Sequence, residues 1–308
     1  MALDIDRYQG CLQGLAAGDA LGTSAEFKAP GTFVPLEDIV GGGVFGLQPG
    51  QWTDDTSMAL CLADSLLASR GFDPADQLRR YVRWFREGYL SSTGECFDIG
   101  NATRSALMHF EASGEACSGS EDPRAAGNGS IMRLAPVVLY YAEDPAAAIA
   151  YAALSSRTTH AAAECVDACR LMAAYILAGL QGWSKQEMLA PDAFGGWLRE
   201  DMLSGSIVDI KRGSYKRKAP PEIQGSGYVV QSLEAALWAF HQSASFAEGA
   251  RLAVNLGDDA DTTGAVYGQI AGAYYGIGGI PAHWSDLLAL RGLIRDYAGR
   301  LYMERART

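Results

Sequence analysis

Residues 258–276 read DDADTTGAVYGQIAGAYYG, and two patterns overlap in that stretch. Gly264, Gly268, Gly272 and Gly276 recur every four residues, the spacing that lines side chains along one ridge of an α-helix. Gly10, Gly14, Gly18 and Gly22 do the same near the start of the chain. Glycine costs about 1 kcal/mol per helix-interior site relative to alanine. Eight of them at helical spacing therefore need a compensation, and very close backbone approach between helices supplies one. The spacing predicts two central helices packed on their neighbours through smooth ridges. GxxxG also marks membrane helix dimers, but the apolar run 265–280 contains Gln269 and many glycines and is too short to span a bilayer.

Elsewhere the period is also helical. Tyr8, Cys11, Leu12 and Leu15 fall three and four residues apart, as do Met58, Cys61, Leu62 and Ser65, and later Leu233, Leu237 and Phe240. Alanine-rich segments at 145–153 and 161–179 favour helix. Strand-like alternation is nearly absent: 34–44 has room for a short hairpin, but its glycines read as loop. The expectation is an all-α fold, one domain over 1–308, with long functional loops at 23–52, 88–100, 112–130 and 203–227.

Composition narrows the function. Apolar residues make up 48% and charged residues 20%, ordinary usage for a soluble globular chain. The net charge of −11 disfavours non-specific binding to nucleic acid or to an anionic membrane. One basic island, Lys211-Arg212 with Lys216-Arg217-Lys218, reads as a solvated loop rather than an anion site. MALDIDRYQG has no basic region followed by an apolar core, so it does not read as a signal peptide. Six cysteines without a CxxC then read as reduced, cytoplasmic and mostly core, with Cys165 and Cys169 on one helix face.

The second pattern in the opening stretch is acidic: Asp258, Asp259 and Asp261, followed by Thr262 and Thr263. A matching cluster, Thr53-Asp54-Asp55-Thr56, lies about two hundred residues earlier. Each precedes a small, apolar, helix-like stretch. Capping explains one Asp or Thr at such a position but does not require adjacent carboxylates. The alternative is that both clusters converge as hard-cation ligands, Asp54, Asp55, Asp259 and Asp261 balancing two divalent ions. Oxygen-only ligation points to Mg²⁺ or Mn²⁺ over Zn²⁺.

Most of the remaining features carry two readings. Gly127-Asn128-Gly129-Ser130 is an ordinary turn before a helix or, with successive free N–H groups, an anion cradle. Glu26 reads as a solvated loop glutamate. Asp98 caps the following helix or faces a site; His160 starts a helix or stacks on a base; Tyr228 is core or offers an aromatic face.

Taken in order, GCLQGLAAGDALGTSAEF, WTDDTSMAL, FDIGNATRSAL, GNGSIMRLAP, TTH, GSGYVV and GDDADTTGAVYGQIAGAYYG resemble the ADP-ribosylglycohydrolase family, most closely its bacterial branch typified by dinitrogenase reductase-activating glycohydrolase. The resemblance runs from about residue 8 to residue 280. It implies a compact, orthogonally packed helical fold with a dinuclear Mg²⁺ or Mn²⁺ cleft. Thr53, Asp54, Asp55, Asp259, Asp261 and Thr262 match the ligands, with Asp258 supporting them from behind. Glu26 matches the loop glutamate beside the metals, and Asp98 an acidic residue that contacts the modified side chain. Gly127, Asn128, Gly129 and Ser130 match the diphosphate loop; His160 and Tyr228 fall where the family lines the adenosine part.

The activity implied is hydrolysis of the C1″ bond between mono-ADP-ribose and a protein side chain, arginine first. ADP-ribose and an ADP-ribosylated protein are the implied partners, and an ADP-ribosylating toxin or its target, with an immunity role, stays open. The alternatives are a non-catalytic ADP-ribose reader or toxin-occluding protein, which would have lost metal ligands, and a two-metal phosphohydrolase, which typically adds histidine ligands. The four histidines here sit away from both acidic clusters.

Overall fold

Fourteen α-helices build the structure, a computed structural model that describes residues 3–305. They are α1 (Ile5–Gly22), α2 (Asp54–Ser69), α3 (Pro74–Glu87), α4 (Asn101–Ser113), α5 (Ala135–Tyr140), α6 (Pro145–Arg157), α7 (Ala163–Leu180), α8 (Lys185–Met188), α9 (Gly205–Lys211), α10 (Val229–Gln242), α11 (Phe246–Val254), α12 (Ala260–Tyr275), α13 (Ala282–Leu287) and α14 (Arg291–Glu304). No strand occurs among the described residues; the 34–44 region is loop, next to one isolated bridge between Gly42 and Leu47. The fold is all-α, and no helix among these residues is long and apolar enough to cross a membrane. Met1 and Ala2, which open the MALDIDRYQG segment, lie outside the described residues.

The glycine ridges meet each other. α1 and α12 run antiparallel, with Gly10 against Gly272, Gly14 against Gly268, Gly18 against Gly264 and Gly22 against Ala260 and Asp261. A Cβ built on Gly18 would overlap the Gly264 carbonyl, and one built on Gly268 would overlap the Gly14 carbonyl. Only hydrogen at these positions lets the two backbones touch. The pair forms the buried spine: α2, α5, α11 and α14 pack on α1, and α7, α10 and α11 on α12. The periodic positions Tyr8, Cys11, Leu12, Leu15, Met58, Cys61, Leu62, Leu233, Leu237 and Phe240 are all core.

Two expectations need correction. The 203–227 stretch is not all loop, because it contains α9 and a 3₁₀ turn at Ser214–Arg217. Nor is the basic island solvated. Lys211 is buried and donates to Glu200 and the Pro191 carbonyl, Arg212 pairs with Glu200, Lys218 pairs with Glu234, and Lys216 donates to the Leu189 carbonyl. The island anchors local carbonyls and carboxylates, with only Arg217 and Arg212 exposed. All six cysteines are free and four are buried; Cys165 and Cys169 share the α7 face that touches Gly127 and Ser130.

Antiparallel packing of the spine decides where function can sit. It sets the C-terminal end of α1, with Asp19 and the Glu26 turn, beside the N-terminal end of α12, with Asp259 and Asp261. Asp19 also holds the start of α2, so three helix ends meet at one point.

Candidate active site

The α2 cluster is organised by a residue the sequence reading passed over. Asp19 is fully buried on α1, and its carboxylate accepts from Thr53 N (2.9 Å) and Oγ1 (3.0 Å) and from Thr56 N (3.1 Å) and Oγ1 (2.6 Å). Thr53 is the N-cap residue of α2, yet its side chain makes no capping bond. Asp19 supplies the cap instead, which frees Asp54 and Asp55 in the first turn. An acid inside the otherwise small and apolar stretch 14–22 was the available signal: such a group needs polar partners from another segment.

The helix that carries the second cluster starts two residues before Thr262. Ala260 is the first helical residue and Asp259 the N-cap. Glu26 is not solvated: it is 4% exposed, and its Oε2 accepts from Ala260 N at 2.9 Å, favoured by the helix dipole. The Glu26 turn is strapped to this end by Phe27 N to Asp258 O (2.7 Å) and Asp258 N to Lys28 O (2.8 Å). Phe27 and Asp258 both adopt left-handed backbone, at φ 60° each, a conformation costly for a phenylalanine and tolerated when the surroundings impose it. Asp258 is itself exposed and acts through this backbone strap.

The two clusters converge. Asp55 Oδ2 lies 3.4 Å from Thr53 Oγ1 and 3.3 Å from Thr262 Oγ1. Carboxylate oxygens of Glu26, Asp259 and Asp261 lie within 4.8 Å of one another. Asp54 and Asp98 face the same cleft. Asp55 and Asp261 are 1% exposed, and Asp55 Oδ1 and Asp261 Oδ2 are buried without a hydrogen-bond partner among the described residues. Among the described residues no lysine or arginine forms an ion pair with these carboxylates.

Such crowding drives protons on. Burial, then the charge of Asp261, pushes Asp259 up to about 7 and raises Glu26 and Asp54 far above the carboxylate range; for Asp55 the charge of Asp19 adds to burial. Burial and then Asp54 lift Asp98 to about 11. Crowded carboxyls with orphaned oxygens and no cationic side chain paired to them suit a hard divalent cation, which would displace those protons. This acidic cluster can hold a metal.

Asp98 does not cap the helix after it: Gly100 is the N-cap of α4, and Asp98 stands in the left-handed region at φ 57°, half-buried in the cleft wall. The Gly127–Ser130 segment crosses the opposite side. Its cradle is half the size expected, because Gly127 N donates to Ala125 O (2.8 Å) and Asn128 N to Gly227 O (3.1 Å). The N–H groups of Gly129 and Ser130 have no protein acceptor among the described residues. Asn128 Nδ2 donates to Asp259 Oδ2 at 2.9 Å, coupling this loop to the acidic cluster.

His160 is 3% exposed, and its ring lies against Gly127 and Gly129 in the cleft wall. Tyr228 is not core: it is 39% exposed, bridges Gly127 through its backbone and donates its hydroxyl to Glu164 at 2.7 Å. It lines a neighbouring groove of about 910 Å³ that joins the acidic cleft of about 390 Å³ at Asn101, Ala102, Gly127 and Gly227. Glu26, Asp54, Asp98, Gly127, Asn128, Gly129, His160, Asp259, Asp261 and Thr262 therefore line one cleft, Tyr228 lines the adjoining groove, and Thr53, Asp55 and Ser130 are buried without lining either.

A family model described as ADP-ribosylglycohydrolase matches residues 1–308. The ADP-ribosylarginine hydrolase Tri1 of Pseudomonas putida (strain GB-1) is 45% identical over 298 residues, spanning 97% of this chain and 78% of that protein. The ADP-ribosyl-dinitrogen reductase glycohydrolase of Rhodospirillum rubrum is 31% identical over 294 residues, 93% of this chain and 91% of that protein. A solved structure titled ADP-ribosylglycohydrolase-related protein complex superposes with a TM-score of 0.87 at 45% identity, covering 98% of this chain and 99% of that one. With the match unbroken from end to end and the helical framework shared, the chain belongs to the ADP-ribosylglycohydrolase family.

Proposed function

We propose that this protein is an enzyme that hydrolyses the bond between ADP-ribose C1″ and an arginine side chain of a modified protein. The observation that carries the reading is the meeting of two remote acidic clusters, with orphaned oxygens on Asp55 and Asp261, beside a loop presenting free N–H groups. Arginine is the acceptor named for the Tri1 relatives of Pseudomonas putida and Serratia proteamaculans. A non-catalytic reader has no need of a complete acidic set, and every carboxylate of that set is in place.

We assign two divalent ions, Mg²⁺ or Mn²⁺, to Thr53, Asp54, Asp55, Asp259, Asp261 and Thr262. Bound there, they supply Lewis-acid binding of the ribose diol and compensate the carboxylate charge. Gly129 and Ser130 N–H groups then take the diphosphate, Tyr228 and the larger groove the adenosine end, and Asp98 the N–H groups of the arginine. Glu26 accepts from Ala260 N through Oε2 and has no hydrogen bond to Oε1 among the described residues; with bound cations offsetting the crowding that holds its proton, it suits the role of taking a proton from the attacking water. The water oxygen bonds to C1″ as the C1″–N bond breaks, and the departing guanidine nitrogen gains a proton. The reaction that supplies this substrate is ADP-ribosyl transfer to arginine; an ADP-ribosylating toxin is one catalyst of that class. Six free cysteines fit a reducing, cytoplasmic setting.

The test is release of ADP-ribose from arginine-modified and serine-modified proteins, with Mg²⁺ or Mn²⁺ and with chelator. Release from arginine that stops with chelator is expected. Release from serine alone would correct the acceptor, and release in chelator would remove the cations from the mechanism.

A further inference from the structure

Arg133 is fully buried behind the cleft and pairs with no carboxylate among the described residues. An unpaired buried guanidinium costs several kcal/mol, so its contacts must account for its presence. They converge on the cleft wall. Nη1 donates to the Gly129 carbonyl at 2.7 Å, and Nη2 donates to Thr159 Oγ1 at 2.6 Å and to Thr158 Oγ1 at 3.3 Å. The Tyr81 ring centroid lies 4.7 Å from Cζ.

Arginine has donors only, so the Thr159 oxygen must accept from it. That same oxygen lies 2.8 Å from His160 Nδ1. Thr159 is fully buried, and its hydroxyl has no other acceptor within reach among the described residues. Its single proton therefore points at Nδ1. A neutral imidazole that accepts at Nδ1 carries its proton on Nε2. Nε2 has no protein partner among the described residues, and it borders the cleft beside Gly127 and Gly129. Burial, then the charge of Arg133, keeps the ring neutral by lowering its pKa to about 3.

We infer that Arg133 and Thr159 are positioning residues that lock His160 as the Nε2–H tautomer, adding a side-chain donor to the free Gly129 and Ser130 N–H groups for an anionic oxygen of the substrate's diphosphate. The ligand named here rests on the hydrolase reading; the tautomer does not. The orientation comes from two residues that never touch the ligand. The buried positive charge of Arg133 sits behind the same wall and favours an anion in front of it.

The experiment uses the full chain, labelled with ¹⁵N, without substrate. Long-range ¹H–¹⁵N spectra report the tautomer of each of the four histidines, with His160 assigned by its loss in His160→Gln. A neutral ring protonated at Nε2 between pH 6 and 8 is expected. Thr159→Val releases the ring to the Nδ1–H form and weakens ADP-ribose binding roughly tenfold, about the worth of one charge-assisted hydrogen bond, with the loss in KM rather than kcat. Thr159→Ser restores both the tautomer and the affinity. A role for Arg133 and Thr159 in packing alone would leave the Thr159→Val ring at Nε2–H with full affinity, and that result overturns the inference. So does an Nδ1–H or doubly protonated ring in the unsubstituted protein that still binds ADP-ribose. An Nε2–H ring in a protein that binds no ADP-ribose overturns the ligand and the hydrolase reading together.

Discussion

The Thr262 hydroxyl reaches Asp55 Oδ2 at 3.3 Å across 207 residues of chain. Neither residue has a local reason to be there. The glycine-lined contact between α1 and α12 brings the α12 start to the end of α1, and Asp19 fixes the α2 start to the same point.

Asp55→Asn separates the stability of this junction from its use. In the cation-free protein the substitution removes a buried, crowded carboxyl whose Oδ1 has no partner among the described residues. The cation-free variant melts no lower than the cation-free parent, while the rise in Tm on adding Mn²⁺ disappears. Hydrolysis falls at least about a hundredfold, since losing even a residue that only supports a metal ligand costs about 10–100-fold. Thermal scans with and without Mn²⁺, beside an ADP-ribose release assay, check both halves.

Asp19→Ala is expected to have the opposite balance. It strands four donors on Thr53 and Thr56 in the core. Chemical denaturation should show a loss of about 2–4 kcal/mol, a few unsatisfied groups' worth. Cation affinity falls by about 10–100-fold, because the start of α2 loses its anchor.

The cation-free protein loses stability as pH rises. Asp19 and Asp259 are raised to about 7 in the fold, by burial first and then by the charge of Asp261. Unfolded aspartate titrates near 3.9. Between these values the fold binds more protons than the unfolded chain, so the stabilisation is present below about 4 and is lost as pH climbs through about 7. Cation binding displaces those protons, so affinity rises with pH over the same window. Calorimetry at pH 6 in buffers of different ionisation enthalpy should detect protons released on Mn²⁺ binding.

Gly18→Ala tests the spine. A methyl there meets the Gly264 carbonyl, a backbone atom that cannot step aside. Overpacking of this kind costs about 1–3 kcal/mol, and because Gly18 adjoins Asp19 the cation response should weaken as well. Gly278→Ala has open space around it and is expected to stay within about 0.5 kcal/mol of the parent.

The spine was legible because a four-residue glycine repeat has one economical explanation in a helix, and both copies of it were long. The acidic clusters were legible for a similar reason: capping leaves the second carboxylate of each without a purpose. Single residues were harder. Glu26 looks like any loop glutamate until the α12 N-terminus is set against it, and Asp19 until Thr53 and Thr56 arrive from another segment. Asp98 was a possible cap until Gly100 took that position. The basic island misled because sequence shows a charge run but not Glu200, Glu234 and the carbonyls that absorb it. In each case the deciding partner is remote in the chain.

The most direct measurement is Mn²⁺ binding to the purified protein, followed by calorimetry and by electron paramagnetic resonance. The account predicts two ions per chain, with binding sharply reduced by Asp55→Asn alone and by Asp261→Asn alone, since each cluster is half of one site. Binding that survives either substitution unchanged, or no binding at all by a folded protein that still releases ADP-ribose from arginine, would contradict it.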